Sequence, residues 1–158
     1  MTLQQQLRHL RHANAVARAA MDAGHHPFGA LLVAPDGEQV LLEQRNVDSV
    51  NHAEAVLARE AARWHAPAWL WQCTLVTTVE PCAMCAGTQY WANIGHLVYG
   101  ISERTLLEHT GAHAENPTLD LPCREVFRRG QKAIEVIGPV PQVEAEIAAL
   151  HRGFWTQL

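Results

Sequence analysis

The chain has 158 residues, 48% of them hydrophobic, with 12 Lys and Arg against 16 Asp and Glu and a formal net charge of -4; its pI is about 6.2. That apolar content suffices for one compact domain over residues 1–158, and an acidic balance without any block of Lys or Arg argues against a long phosphate backbone as partner, so a small-molecule substrate is expected. The first residues lack the basic start and apolar run of a signal peptide and no apolar stretch reaches the length of a membrane span, so the expectation is a soluble, cytoplasmic chain with no membrane partner.

Leu7, Leu10, Ala13, Ala17 and Met21 recur at helical spacing over residues 3–23, and Gly24 stops the run. Residues 28–33 and 40–44 read as two strands joined at Pro35-Asp36-Gly37, a hairpin with Asp-Gly as its turn signal. Residues 52–64, rich in Ala, Leu, Glu and Arg, read as a second helix that Asn51 or Ser49 would cap, which places His52 and Glu54 in its first turn. The β-branched run at residues 73–79 reads as a strand. Pro81 then opens a helix over residues 82–91, with Cys82 and Cys85 in the first turn. A strand at 96–101, an irregular stretch over 109–121, a short helix at 123–129, a strand at 133–137 and a final helix at 142–155 follow. This order predicts an α/β fold: a three-layer α/β/α sandwich around a mixed five-stranded sheet, antiparallel at the hairpin and parallel at the crossovers.

The chemistry concentrates in His52-Ala53-Glu54 and Pro81-Cys82-Ala83-Met84-Cys85. One imidazole and two thiolates supply three ligands for a Zn2+ ion that takes four, leaving a position for a bound water or hydroxide; one zinc per subunit is expected. The first-turn amides of the helix carrying Cys82 and Cys85 favour thiolates. Two thiolates weaken the acidifying effect of zinc on its water, so a nearby base is needed, and Glu54 is the candidate catalytic residue that would take a proton from that water. A Cys-x-x-Cys alone would also suit a redox pair or half of a structural zinc site. A redox pair would leave His52 and Glu54 unused, while the spare thiols Cys73 and Cys123 lack the paired spacing of a zinc knuckle.

An H-x-E followed by P-C-x-x-C resembles the cytidine deaminase-like superfamily of zinc-dependent nucleoside and nucleobase deaminases. The resemblance spans most of the chain, adding Pro27-Phe28-Gly29-Ala30 with Arg45-Asn46 and the block from Glu80 to Gly87. Within the superfamily the chain looks like the branch of guanine deaminases and tRNA adenosine deaminases, and Pro-Phe-Gly-Ala with Tyr90-Trp91-Ala92 leans toward the guanine deaminase side. The resemblance implies the sandwich fold, a hydrolase acting on cyclic amidine C-N bonds, and a homodimer. It also implies substrate contacts: a hydrogen bond from Asn46, ring packing by Phe28 and Trp91, and the backbone amide of Ala53. Read as residues alone, Asn46 also suits a turn, and Phe28 and Trp91 a core.

The chain departs from the guanine deaminase pattern after Gly100: residues 103–117 lack the acidic segment that binds guanine in those enzymes. His109, His113 and Glu115 fall in the expected loop and could read a base edge. Phe154 and Trp155 suit either a pocket lid or a pin holding the last helix to its own sheet. The leading expectation is a zinc-dependent hydrolytic deaminase of a free nucleobase or nucleoside, with guanine or a related amino-heterocycle ahead of cytosine or cytidine. A tRNA-specific adenosine deaminase is the alternative. Lys132 as the only lysine argues against it, and Arg124, Arg128 and Arg129 keep it open. A non-catalytic zinc-binding interaction module would have no physical need for Glu54.

Overall fold

The computed structural model describes residues 1–111 and 113–155; position 112, within the stretch expected to be irregular, and positions 156–158 lie outside them. Helix α1 spans Leu3–Asp22, where Thr2 accepts from the Gln5 amide while the Gln5 side chain accepts from the Thr2 amide, a reciprocal box that satisfies two open donors. The helix stops before Gly24, which takes a φ of +83° that other residues rarely adopt. Strands β1 (Gly29–Val33) and β2 (Val40–Arg45) form the expected hairpin. Asp36 Oδ1 accepts from the Glu38 and Gln39 amides to shape its turn. Gly29 lies so close to α1 that a Cβ there would strike the Ala13 carbonyl, which explains the glycine beside Phe28.

The chain continues as α2 (Ala53–Trp64), α3 (Pro67–Leu70), β3 (Thr74–Val79), α4 (Ala83–Ala92), β4 (His96–Ile101), α5 (Glu103–Thr110), α6 (Cys123–Arg128), β5 (Glu135–Ile137) and α7 (Pro141–Phe154). Neither α3 nor α5 was expected. The irregular stretch begins as the last turn of α5, whose cap is Ser102, accepting from the Thr105 amide at 3.0 Å. His52 and Cys82 stand immediately before α2 and α4 rather than inside their first turns. Asn51 does not cap α2, because its side chain is bonded to Asp48 instead.

The five strands lie in the order β2-β1-β3-β4-β5. β1 runs antiparallel to β2 and β3, and β3, β4 and β5 run parallel, so the sheet is mixed as expected. Alternation along each strand divides the core in two. Ala30, Leu32, Leu75 and Leu97 pack with Leu57, Ala61, Ala86 and Phe127 under α2, α4 and α6. Leu31, Val33, Val76 and Val98 pack with Leu10, Leu106, Val143 and Ile147 under α1, α5 and α7. Helices therefore cover both faces, giving the α/β/α sandwich, and Arg11 joins α1 to α7 through Glu146 at 2.9 Å. No described helix is long and apolar enough to cross a membrane.

Two buried polar groups at the active end of the sheet hold its connections. Glu80, directly after β3, accepts from the Glu103 amide at 3.2 Å with one carboxylate oxygen and from the Cys123 amide at 2.9 Å with the other. His151 of α7 is fully buried, accepts from Trp155 Nε1–H at 3.3 Å and packs against the Phe28 ring at 5.3 Å. Burial first, then the nearby His109, pushes its pKa down to about 3. An unfolded histidine titrates near 6.5, so the unfolded chain takes up this proton first: the contribution of neutral His151 is complete above about pH 6.5 and is lost as pH falls toward 3. Urea midpoints of the wild type should therefore fall more steeply from pH 7 to pH 5 than those of His151→Leu; parallel pH curves would remove this residue from the acid response.

Candidate active site

The loop before α2 is built around Asp48, whose carboxylate accepts from the Val50 and Asn51 amides and from the Asn51 side chain. The Asn51 side chain first, then the two amides, lower its pKa to about 2. The loop delivers His52, and the histidine Nε2–H donates to the Ser49 carbonyl at 3.2 Å, leaving Nδ1 as the free ligand atom. Cys82 and Cys85 arrive from the start of α4, each with its sulfur 3.6 Å from His52 Nδ1.

These distances test the donor set. With ordinary Zn–N and Zn–S bonds at tetrahedral angles, a nitrogen and a sulfur on one zinc lie about 3.6 Å apart. The three ligand atoms lie within 4.8 Å of one another, so His52, Cys82 and Cys85 could hold a metal ion. Electrostatics favour the anionic ligand: a hydrogen bond from Cys85, helped by His52 and opposed by burial, brings the Cys82 thiol down to about 4. The same sulfur raises the pKa of His52.

Glu54 lies beside this triad, 4% exposed. One carboxyl oxygen accepts from Thr77 Oγ1–H at 2.7 Å, and the other lies 3.5 Å from the Cys85 sulfur. Burial raises the Glu54 pKa, only partly offset by the Thr77 hydrogen bond.

Two clefts meet at the triad. The inner one is walled by Phe28, His52, Glu54, Val79, Cys82, Leu106 and Asn116 with Glu80 and Glu103. The outer mouth adds His26, Ser49, Met84 and the segment from Glu115 to Leu119. Burial, and then the charge of Cys82, pushes the Glu103 pKa up to about 8.

Phe28 lines both clefts. Ala53 is fully buried as the first residue of α2, and Asn46 is buried with its amide bonded to the Phe28 carbonyl at 3.0 Å, although neither lines the clefts. The Asn46 side chain donates to the Asp48 carbonyl, and its oxygen has no partner among the described residues. Trp91 is a correction. It is 81% exposed and walls a separate groove with Arg59, Arg63 and Met84. Six residues beyond Cys85 on one helix, it lies about 9 Å along the axis and roughly 240° around it, so it faces away from the triad.

His109 sits in the last turn of α5, His113 packs on Trp155 at 5.3 Å, and Glu115 bonds His26 at 3.2 Å beside the mouth. Trp155 is buried against His26 and His151 of its own chain, with Phe154 against it. Sequence reasoning passed over Thr77, Glu80 and Asn116. Thr77 and Glu80 sit on or just after a recognisable strand, but their inward aim depends on register, and nothing local marks Asn116.

The cytidine and deoxycytidylate deaminase zinc-binding region matches residues 3–101. A probable cytosine deaminase of Schizosaccharomyces pombe is 34% identical over 152 residues, covering 94% of this chain and 91% of the relative. The guanine deaminase of Bacillus subtilis is 36% identical over 108 residues, 65% of each chain. A solved structure from work on A-to-I editing by tRNA:A34 deaminases superposes with a TM-score of 0.67 at 26% identity, covering 90% of this chain and 99% of that one. Fold, triad spacing and sequence agree: the chain belongs to the cytidine and deoxycytidylate deaminase zinc-binding family.

Proposed function

We propose that this protein is a zinc-dependent hydrolytic deaminase of a free nucleobase or nucleoside, built as one domain, with Glu54 as its proton carrier. The supporting observation is the position of that carboxyl: buried, oriented by Thr77 and 3.5 Å from a sulfur of the candidate metal triad. Zinc held by His52, Cys82 and Cys85 would supply Lewis acidity to the attacking water. Glu54 takes one proton of that water and delivers it to the ring nitrogen beside the amino-bearing carbon. As the C–N bond breaks, the carboxylate takes the remaining proton of the added hydroxyl and hands it to the leaving amine, so ring amine and water become ring carbonyl and ammonia. Phe28 offers a ring face for the heterocycle.

Guanine and cytosine head the substrates. The relative matched over nearly its whole length favours cytosine, and the block around Phe28 favours guanine. Against a tRNA substrate stands Glu115 at the mouth, where a phosphate backbone would meet a carboxylate. The groove between α2 and α4, walled by Ala62, Met84 and Trp91, is the seat we assign to the homodimer. Ammonia release by zinc-loaded protein should be measured with guanine, guanosine, cytosine, cytidine, adenine, adenosine and an adenosine-34 anticodon stem-loop. Turnover of a free base or nucleoside is expected; turnover of the stem-loop alone would replace this reading by RNA editing.

A further inference from the structure

The proton carrier and the triad leave two polar side chains of the site without employment. Glu103 and Asn116 are, with Phe28, His52 and Cys82, the residues common to the inner cleft and its mouth. The Glu103 amide is tied to Glu80, while its carboxyl has neither hydrogen bond nor ion pair among the described residues. Asn116 is fixed by its own backbone, its amide donating to the His113 carbonyl at 3.1 Å. Its side-chain Nδ2 is buried and has no partner among the described residues. A buried amide donor without an acceptor is costly, and a folded protein tolerates one chiefly where something else supplies the acceptor.

The two groups are chemically complementary. Asn116 offers a donor and Glu103 an acceptor oxygen, which a carboxyl keeps in either protonation state. The ligand that satisfies both carries a carbonyl next to a ring N–H, the edge of a cyclic amide. Cytosine presents that edge at O2 and N1–H, and guanine at O6 and N1–H. In cytidine the same nitrogen carries the sugar and has no hydrogen to give.

We infer that Glu103 and Asn116 are the specificity-determining pair of this site: the Asn116 amide donates to the ring carbonyl, a Glu103 carboxyl oxygen accepts from the adjacent ring N–H, and free amino-lactam bases are selected over derivatives substituted at that nitrogen. The inference rests on the deaminase reading of the site and adds the edge it reads. A site that hydrogen-bonds a polar group of its substrate discriminates strongly against analogues lacking it, because its own buried groups are then left unpaired.

The test compares kcat/KM for cytosine against 1-methylcytosine and for guanine against 1-methylguanine, in the wild type, Glu103→Ala and Asn116→Asp. Isothermal titration with 2-pyrimidinone and 1-methyl-2-pyrimidinone adds a readout that needs no turnover. For whichever base is the substrate, the wild type should prefer the unmethylated compound by about 10²-fold or more. Glu103→Ala should bring that ratio to within a few fold of one with zinc content unchanged. Asn116→Asp, which sets an acceptor against the carbonyl, should weaken methylated and unmethylated compounds alike. Equal use of both compounds by the wild type, or a ratio that survives Glu103→Ala, overturns the inference and leaves the deaminase reading standing. Absence of Glu54-dependent turnover of any base, with no binding of 2-pyrimidinone, overturns both.

Discussion

Glu54→Gln should retain its zinc and its fold and lose at least about 10³-fold in kcat, since one carboxyl serves both proton transfers and each is worth roughly 10²–10⁴-fold. Glutamine is the informative replacement. It keeps the shape and an oxygen for the 2.7 Å hydrogen bond from Thr77, and removes only the ability to exchange a proton. Stability should stay level or rise, because a carboxyl that burial forces toward its neutral form is held at a cost that catalysis, not folding, requires. Metal content by atomic absorption, melting temperature and single-turnover ammonia release separate the three effects. Activity within tenfold of wild type in the zinc-loaded variant would remove Glu54 from the mechanism.

The second large effect is expected from the metal triad. Chelation, or Cys85→Ala, should reduce turnover to background and lower the melting temperature, with zinc restoring the chelated wild type and not the variant. Binding to the folded state alone contributes about 2.7 kcal/mol of stability at a ligand concentration 100-fold above Kd, and the loss should be of that order or larger for a tightly held ion. Turnover that persists in protein shown to contain no metal would overturn the assignment.

The triad and its base were legible in the sequence because their spacing is local. His52 and Glu54 are two residues apart at one helix start, and Cys82 and Cys85 are three apart at another, so each helix terminus fixes its own pair. The sheet was legible for a similar reason: β-branched runs and an Asp-Gly turn are short-range signals. Helix α5 was not, although Ser102 marks its start. Within it only Leu106 and Thr110 are buried, too few positions for a periodic signal to stand out. Trp91 was misplaced because nearness along a helix does not imply a shared face. Asn116 could not be found at all, since its role depends on how residues 113–119 fold back over the cleft.

Glu80 gives the site a division of labour. By gripping the first amide of α5 and the first amide of α6, one buried carboxylate sets where the segment between those helices leaves and rejoins the sheet. His52, Cys82 and Cys85 stand outside that span, at the starts of α2 and α4. Changes in length or composition between the two anchored ends can thus reshape the roof of the cleft while the chemistry beneath it stays in register. If Glu103 and Asn116 read the base as inferred, recognition and reaction are held by separately anchored parts of the fold.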